Sequence, residues 1–267
     1  MTSQGEQPEH FEPSYDISDE QVERLTARLI GERGADAAPG HRFVAIAVDG
    51  DSPYSNIGRH IERVVFEARF GNDAQQMGEG YGRYDQASQF FISIDREKKV
   101  ASGVLRIIRN SPSGLKTLND IEGHPFYVGL EDVEKAHGID DLDTVWDVGT
   151  VAVLPEYRGG KSAASVQLYR AMYLSALSEG IDHLVSAIED DVLPKMKGYL
   201  GIPFVPLAGA KPGPYMGSEK THPVYGYVPD FYAKMSRHMR TPKGLMAHAA
   251  LKRLVQGSED DALILDR

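Results

Sequence analysis

No cysteine occurs anywhere in the 267 residues. That absence removes disulfides, thiolate metal sites and a cysteine nucleophile together. Long hydrophobic runs are missing too: nothing approaches the roughly 18 apolar residues of a membrane span. The first residues are acidic and polar, unlike a signal peptide. The expectation is a cytoplasmic protein without an integral membrane segment. Positive charge is scarce, with 29 Lys and Arg against 39 Asp and Glu and a net charge of −10. Nucleic-acid binding is dominated by phosphate neutralisation, so no nucleic-acid partner is expected. The nine histidines show no metal-ligand spacing, and no metal is expected.

What is present, 41% hydrophobic and 25% charged residues, suits an ordinary globular protein with one large core and flanking segments. The charge is unevenly placed. Nine acids against three arginines fall in residues 1–40, and four acids against one arginine in residues 257–267, so the body between is nearly neutral. Within it, Lys234, Arg237, Arg240, Lys243, Lys252 and Arg253 face only Asp230 over residues 230–256. That basic stretch is either a solvated helix face or a surface for an acidic partner.

Residues 1–18 are rich in Glu, Pro, Ser and Gln and are expected to lack stable structure. A short helix then opens with Ser18 as its cap and Val22, Leu25 and Leu29 on one face. Alternation predicts a strand at 41–48, and helical spacing predicts a helix at 57–70 with Ile57, Ile61, Val64, Val65 and Ala68 buried. Residues 89–94 and 100–108 read as an antiparallel hairpin. A central strand follows at 144–154, a helix at 162–178, a strand at 184–188 and a helix at about 191–200. Strands at 204–207 and 224–228 flank a Gly/Pro-rich loop, 208–220, which is either a lid or a connector. Three segments result: an acidic N-terminal segment 1–40, a domain 41–230 and a C-terminal helical extension 231–267 with an acidic tail.

The central strand runs into Leu154-Pro155-Glu156-Tyr157-Arg158-Gly159-Gly160-Lys161-Ser162-Ala163 and then a helix. Glycines let the backbone approach a ligand, and the free N–H groups and dipole at a helix start attract an anion. A nucleotide-triphosphate loop is excluded, because its first glycine would fall on Pro155. A serine-hydrolase elbow is excluded as well, since Gly160-Lys161-Ser162-Ala163-Ala164 lacks the closing glycine. Two readings remain: a plain strand-to-helix turn, and the pyrophosphate loop of the GNAT N-acyltransferases, with Arg158 and Ala163 matching and Lys161 where the central glycine belongs.

The order of elements over most of 41–230 resembles the GNAT fold, an α/β (α+β) mixed twisted sheet flanked by helices. A closer resemblance is to the autoinducer (acyl-homoserine-lactone) synthases and the long-chain N-acyl amino acid synthases. It rests on Val65-Phe66-Glu67-Ala68-Arg69-Phe70-Gly71, Tyr84-Asp85, Gly103-Val104-Leu105-Arg106 and Trp146-Asp147, and covers roughly 57–205. Position by position, Asp85 and Arg106 match polar residues of the active-site side, and Asp147 stands where that family has a glutamate. Gly80 and Gly82 replace acids, Glu62 stands in place of an arginine with Arg63 one step away, and Thr150 replaces a second arginine. These departures disfavour S-adenosylmethionine as acceptor and leave the donor half intact.

The resemblance implies an acyl thioester, acyl-CoA or acyl-ACP (acyl carrier protein), as co-substrate and a small amine such as an amino acid as acceptor. It implies that the pantetheine arm lies between the strands at 146–154 and 184–188. Backbone around Val151 and Val153 would bind the arm, and Arg158, Gly159, Gly160, Lys161, Ser162 and Ala163 the phosphates. An N–H near Val151 would meet the oxyanion. Asp147 and Glu189, one on each strand, are the candidate bases. Asp85, Arg106, Thr150, His222 and Tyr225 are candidate substrate-binding residues, with His222 and Tyr225 also further candidates for acid or base. The expected activity is N-acyl transfer, with a homoserine-lactone synthase as one alternative and a non-catalytic acyl-thioester-binding module as another. Asp147 and Glu189 both turned into the core or ion-paired would favour the binding module.

Overall fold

In the computed structural model, which describes residues 11–35, 42–158, 163–246, 252 and 263–264, the alternating stretches of the sequence form a mixed sheet with helices on both faces. Helix α1 (Asp19–Glu32) starts at the expected cap. The Ser18 hydroxyl accepts from the Gln21 N–H at 3.3 Å, and the Ser18 N–H donates to Gln21 Oε1 at 2.8 Å. There follow β1 (Phe43–Asp49), α2 (Ser55–Phe70), α3 (Ala74–Tyr81), β2 (Ser88–Asp95), β3 (Val100–Arg109), α4 (Lys116–Ile121) and α5 (Leu130–His137). Beyond them lie β4 (Val145–Val153), α6 (Ala163–Ser178), β5 (His183–Glu189), α7 (Leu193–Gly198), β6 (Val205–Pro206), β7 (Gly213–Tyr215) and β8 (Ser218–Tyr227). Helices α8 (Phe231–His238) and α9 (Pro242–Met246) and the short β9 (Leu263–Ile264) complete the order.

The strands run β6-β8-β5-β4-β3-β2-β1-β9, with β7 on β8. Pairing is antiparallel except for β4 with β5 and β1 with β9. The expected hairpin is present as β2–β3. Helices α3, α4 and α5 have no counterpart in the sequence reading, because six to eight residues give too few turns for a periodic signal. The stretch 208–220, expected as a loop, carries β7 and the start of β8.

Strand periodicity distributes the core. Val44, Ile46 and Val48 of β1 enter one layer with Leu29 of α1 and Ile57, Ile61 and Val65 of α2, while Ala45 and Ala47 enter the other with Leu168, Ala171 and Met172 of α6. Each large aliphatic side chain buried this way contributes about 1.5–3 kcal/mol. The buried face of α2 differs from the expected one. Ala68 is exposed and Val64 half-buried, whereas Gly58, Arg59 and Glu62 are buried. A Cβ at Gly58 would sit 2.5 Å from the Phe90 ring, so the glycine lets α2 lie directly on β2.

One irregularity positions everything that follows. Arg106 of β3 stands opposite Thr150, but Ile107 stands opposite Val148, which leaves Gly149 as an extra residue in β4. The bulge shifts the phase of the strand. Trp146 and Val148 lie in the α6 layer, and so do Val151 and Val153, whereas Asp147 and Thr150 share the opposite face.

Candidate active site

β4 and β5 pair at three positions, Val145–His183, Trp146–Leu184 and Asp147–Val185, and then part. β4 stays paired to β3 as far as Val153, and β5 to β8 as far as Glu189. Each strand is thus held on its outer edge while the inner edges, 148–153 and 186–189, diverge. At the fork the Ser186 hydroxyl donates to the Val148 carbonyl at 2.8 Å.

A cavity of about 460 Å³ fills the fork, within the range of ligand sites. Its walls are Val148, Gly149, Thr150, Val151 and Val153 of β4, residues 186–189 of β5, Phe66 and Phe70 of α2, and Tyr169, Met172 and Tyr173 of α6. Phe204, Phe231 and Met235 extend the apolar lining, and Tyr215 and Met216 reach it from 208–220, the segment expected as a lid or a connector. Arg158 stands on the lining too. Its Nε donates to the Val153 carbonyl at 2.7 Å while the side chain stays exposed. Gly159, Gly160, Lys161 and Ser162 lie outside the described residues. α6 begins at Ala163.

Behind the bulge lies a buried polar network. The Thr150 hydroxyl, on the cavity wall, donates to Glu62 Oε1. Glu62 Oε2 accepts from the Tyr15 hydroxyl at 3.1 Å and lies 3.5 Å from Arg106 Nη1. Arg106 donates to Ser88 Oγ at 2.9 Å, to the Tyr15 hydroxyl at 2.6 Å and to Asp85 Oδ1 at 2.9 Å. Arg59 donates to the same Asp85 oxygen at 2.8 Å. Two guanidinium groups therefore face two carboxylates. Burial pushes Glu62 above its ordinary pKa, with Arg106 and the Thr150 hydrogen bond opposing, and burial drives Tyr15 and Tyr81 well above theirs. The Tyr81 hydroxyl donates to the Gly149 carbonyl at 3.1 Å and fixes the bulge. Tyr15 belongs to residues 1–18, expected without structure. Within the described part of that segment, Ser14 N–H donates to Asn56 Oδ1 at 3.0 Å and Asn56 Nδ2 to the Glu12 carbonyl at 3.1 Å.

The structure brings Thr150, Val151, Val153, Arg158 and Glu189 to one cavity and joins Asp85 and Arg106 to it through Glu62. It does not bring the others. Asp147, expected to face the groove, turns to α4, where its carboxylate accepts from both the N–H and the hydroxyl of Thr117 and is fully buried. Glu189 is on the cavity wall but ion-paired to Arg69 at 2.6 Å. His222 bonds Asp190 at 2.6 Å, and Tyr225 bonds His183 at 2.7 Å and stacks on His137 at 3.8 Å; neither lines the cavity, His222 being drawn to Asp190 and Tyr225 packing with Val185 and Val133 in a separate apolar cluster. Burial lifts Tyr225 to about 12. Residues missed by the sequence reading are Tyr15, Tyr81 and Thr117, while Glu62 enters it only as an acid where the resembled family has an arginine. Among the described residues no helix is long and apolar enough to cross a membrane, and no three acids or histidines are grouped to hold a metal.

No family model matches the chain, and no curated protein matches it. Solved structures do. FeeM, an N-acyl amino acid synthase from uncultured soil microbes, superposes with a TM-score of 0.56 at 20% identity over 75% of this chain and 98% of its own. BjaI, a CoA-dependent acyl-homoserine lactone synthase solved with SAM and isopentyl-CoA, gives 0.46 at 13% identity over 84% and 92%. MesI, a second CoA-dependent acyl-homoserine lactone synthase, gives 0.44 at 15% identity over 83% and 98%. The superposition on FeeM carries the assignment: this chain has the GNAT fold.

Proposed function

We propose that the protein is an N-acyltransferase that moves an acyl group from an acyl-CoA or acyl-carrier-protein thioester to the amine of a small molecule such as an amino acid. The observation that carries this reading is the fork between β4 and β5, with its apolar cavity and two strand edges unpaired on the inner side. Unpaired strand edges offer the donors and acceptors that the amides of a pantetheine arm require. The apolar walls suit an acyl chain, and an N–H near Val151 is the expected donor to a tetrahedral oxyanion.

One observation favours the second reading, a thioester-binding module. Asp147 is buried and hydrogen-bonded, and Glu189 is ion-paired, so neither candidate base is free in the cavity. The wall carries another route to a carboxylate, Thr150 bonded to Glu62, and this keeps catalysis the better supported reading. We assign Asp147 to anchoring α4 and leave Glu189 paired with Arg69 on the cavity wall. Mass spectrometry of lipid extracts from cells overproducing the protein separates the two. A new N-acyl species is expected; its absence, together with tight binding of acyl-CoA, would establish the module instead.

Arg158 is assigned to the phosphates of the donor. A charge-assisted contact contributes about 1.5–3 kcal/mol, so Arg158→Ala is expected to weaken coenzyme A binding by roughly tenfold or more. Calorimetry showing equal affinity would remove Arg158 from the donor site. For a carrier-protein donor, Arg237 in the last turn of α8 and Arg240 just after it are the expected docking charges. Reversing both to Glu should abolish carrier-protein binding, and in the unaltered protein binding should fade as salt shortens the Debye length below about 8 Å. Salt-independent binding, measured by the same calorimetry, would exclude that surface.

A further inference from the structure

We propose, resting on the acyltransfer reading, that Thr150 and Glu62 form a proton relay: the Thr150 hydroxyl takes the proton of the attacking amine while passing its own to Glu62 Oε1. Thr150 follows the bulge directly and stands on the cavity wall, and its hydroxyl donates to Glu62. A hydroxyl that donates in one direction keeps lone pairs for another. In the relay those lone pairs face the fork, with the Glu62 carboxylate bonded behind the hydroxyl. Asp147, turned to Thr117, and Glu189, paired to Arg69, offer no such alignment.

The setting of Glu62 fits the task. Oε2 is held by Tyr15 from the N-terminal segment and faces Arg106 of β3, which leaves Oε1 to Thr150 of β4. Arg59 of α2, Tyr81 of α3 and Asp85 complete the charged and titratable groups around it. Burial raises the proton affinity of the carboxylate, and Arg106 and the hydrogen bonds moderate the rise. A proton delivered to Glu62 is therefore held more firmly than on an exposed glutamate.

The balance closes. The nitrogen lone pair of a neutral amine attacks the thioester carbonyl carbon, and a C–N bond forms. The amine proton moves to Thr150 Oγ1 as the Thr150 proton moves to Glu62. The C–S bond breaks with its electron pair on sulfur, and the proton held on Glu62 returns through Thr150 to that sulfur. The products are an amide and a free thiol, with Thr150 and Glu62 restored. Thr150 touches the reacting atoms; Glu62 acts through it, as a positioning residue.

The test measures N-acyl transfer from dodecanoyl-CoA to an equimolar mixture of the common amino acids by mass spectrometry, as a function of pH. Thr150→Val, nearly isosteric, is expected to lower turnover by a factor on the order of 10² and to remove the acid limb of the pH profile, and Thr150→Ser to restore both. Dodecanoyl-CoA affinity by calorimetry should be equal in all three proteins. Glu62→Gln should match Thr150→Val; if it fails to fold, the Val and Ser pair decides. Wild-type turnover in Thr150→Val, or a serine variant as slow as the valine one, would overturn the relay alone. A wild-type protein that binds dodecanoyl-CoA and acylates nothing would overturn the acyltransfer reading and the relay with it.

Discussion

Arg106→Met is expected to lower the unfolding free energy by about 3–5 kcal/mol at neutral pH, because removing one partner of a buried ion pair leaves the other uncompensated. Arg106 is fully buried and lies over the rings of Tyr81 and Phe90 at 4.7 and 4.9 Å. Its loss leaves Asp85 with Arg59, but takes from Glu62 its nearest cation. Glu62 would then sit still further above its ordinary pKa. The sign follows from linkage. A carboxylate whose folded pKa is raised favours the folded state while protonated, and that advantage is lost as pH rises through the folded value. The deficit of the variant should therefore widen from mildly acid to neutral pH. Urea denaturation at both conditions measures it. A loss below about 1 kcal/mol at neutral pH would mean that Arg106 is held for a substrate and contributes little to the fold.

What the sequence made legible depended on how far each feature relies on local pattern. The hairpin of β2 and β3, the capped start of α1 and the central strand follow from alternation and capping chemistry, which are local. Asp147 shows where that stops. Uninterrupted alternation puts Asp147 on the same face as Val151 and Val153, which line the cavity. The bulge at Gly149 reverses this and sets Asp147 with Thr150 on the face opposite Val148 and Val151; Asp147 lies where β4 is still paired to β5 and turns to Thr117, whereas Thr150, beyond the fork, lines the cavity. A bulge is a register between two strands, so one strand read alone does not reveal it. Glu62 was visible as an acid where the resembled family has an arginine, and Thr150 as a second replaced arginine. Their direct bond was not visible, since it joins residues 88 positions apart across two layers. Tyr15 escaped for the same reason: a segment poor in aliphatic residues gains its order from Asn56, Glu62 and Arg106 rather than from its own pattern.

Asp147→Asn is expected to flatten the acid side of the stability profile while leaving N-acyl transfer well short of the roughly 10²-fold loss that follows removal of a general base. Burial is the largest cause acting on this carboxylate and holds its pKa at about 6 against an ordinary 3.8, with the two Thr117 hydrogen bonds pulling the other way. For an acid shifted upward, the stabilising contribution is complete below the unfolded value and is lost as pH rises through the folded one. In this protein the window runs from about pH 4 to about pH 6, which corresponds to about 3 kcal/mol. Asparagine keeps the shape, can accept from the Thr117 N–H and donate to its hydroxyl, and does not titrate. The variant should gain about 3 kcal/mol relative to wild type between the acid and neutral ends of that window, as read from urea denaturation at each pH. Anchoring α4 and serving as base make opposite demands on Asp147. A base needs an open side facing the fork, whereas both oxygens of this carboxylate are bonded to Thr117. Turnover reduced by about 10² or more in Asp147→Asn, with a pH profile of stability parallel to wild type, would return the proton-accepting role to Asp147 and take it from Glu62.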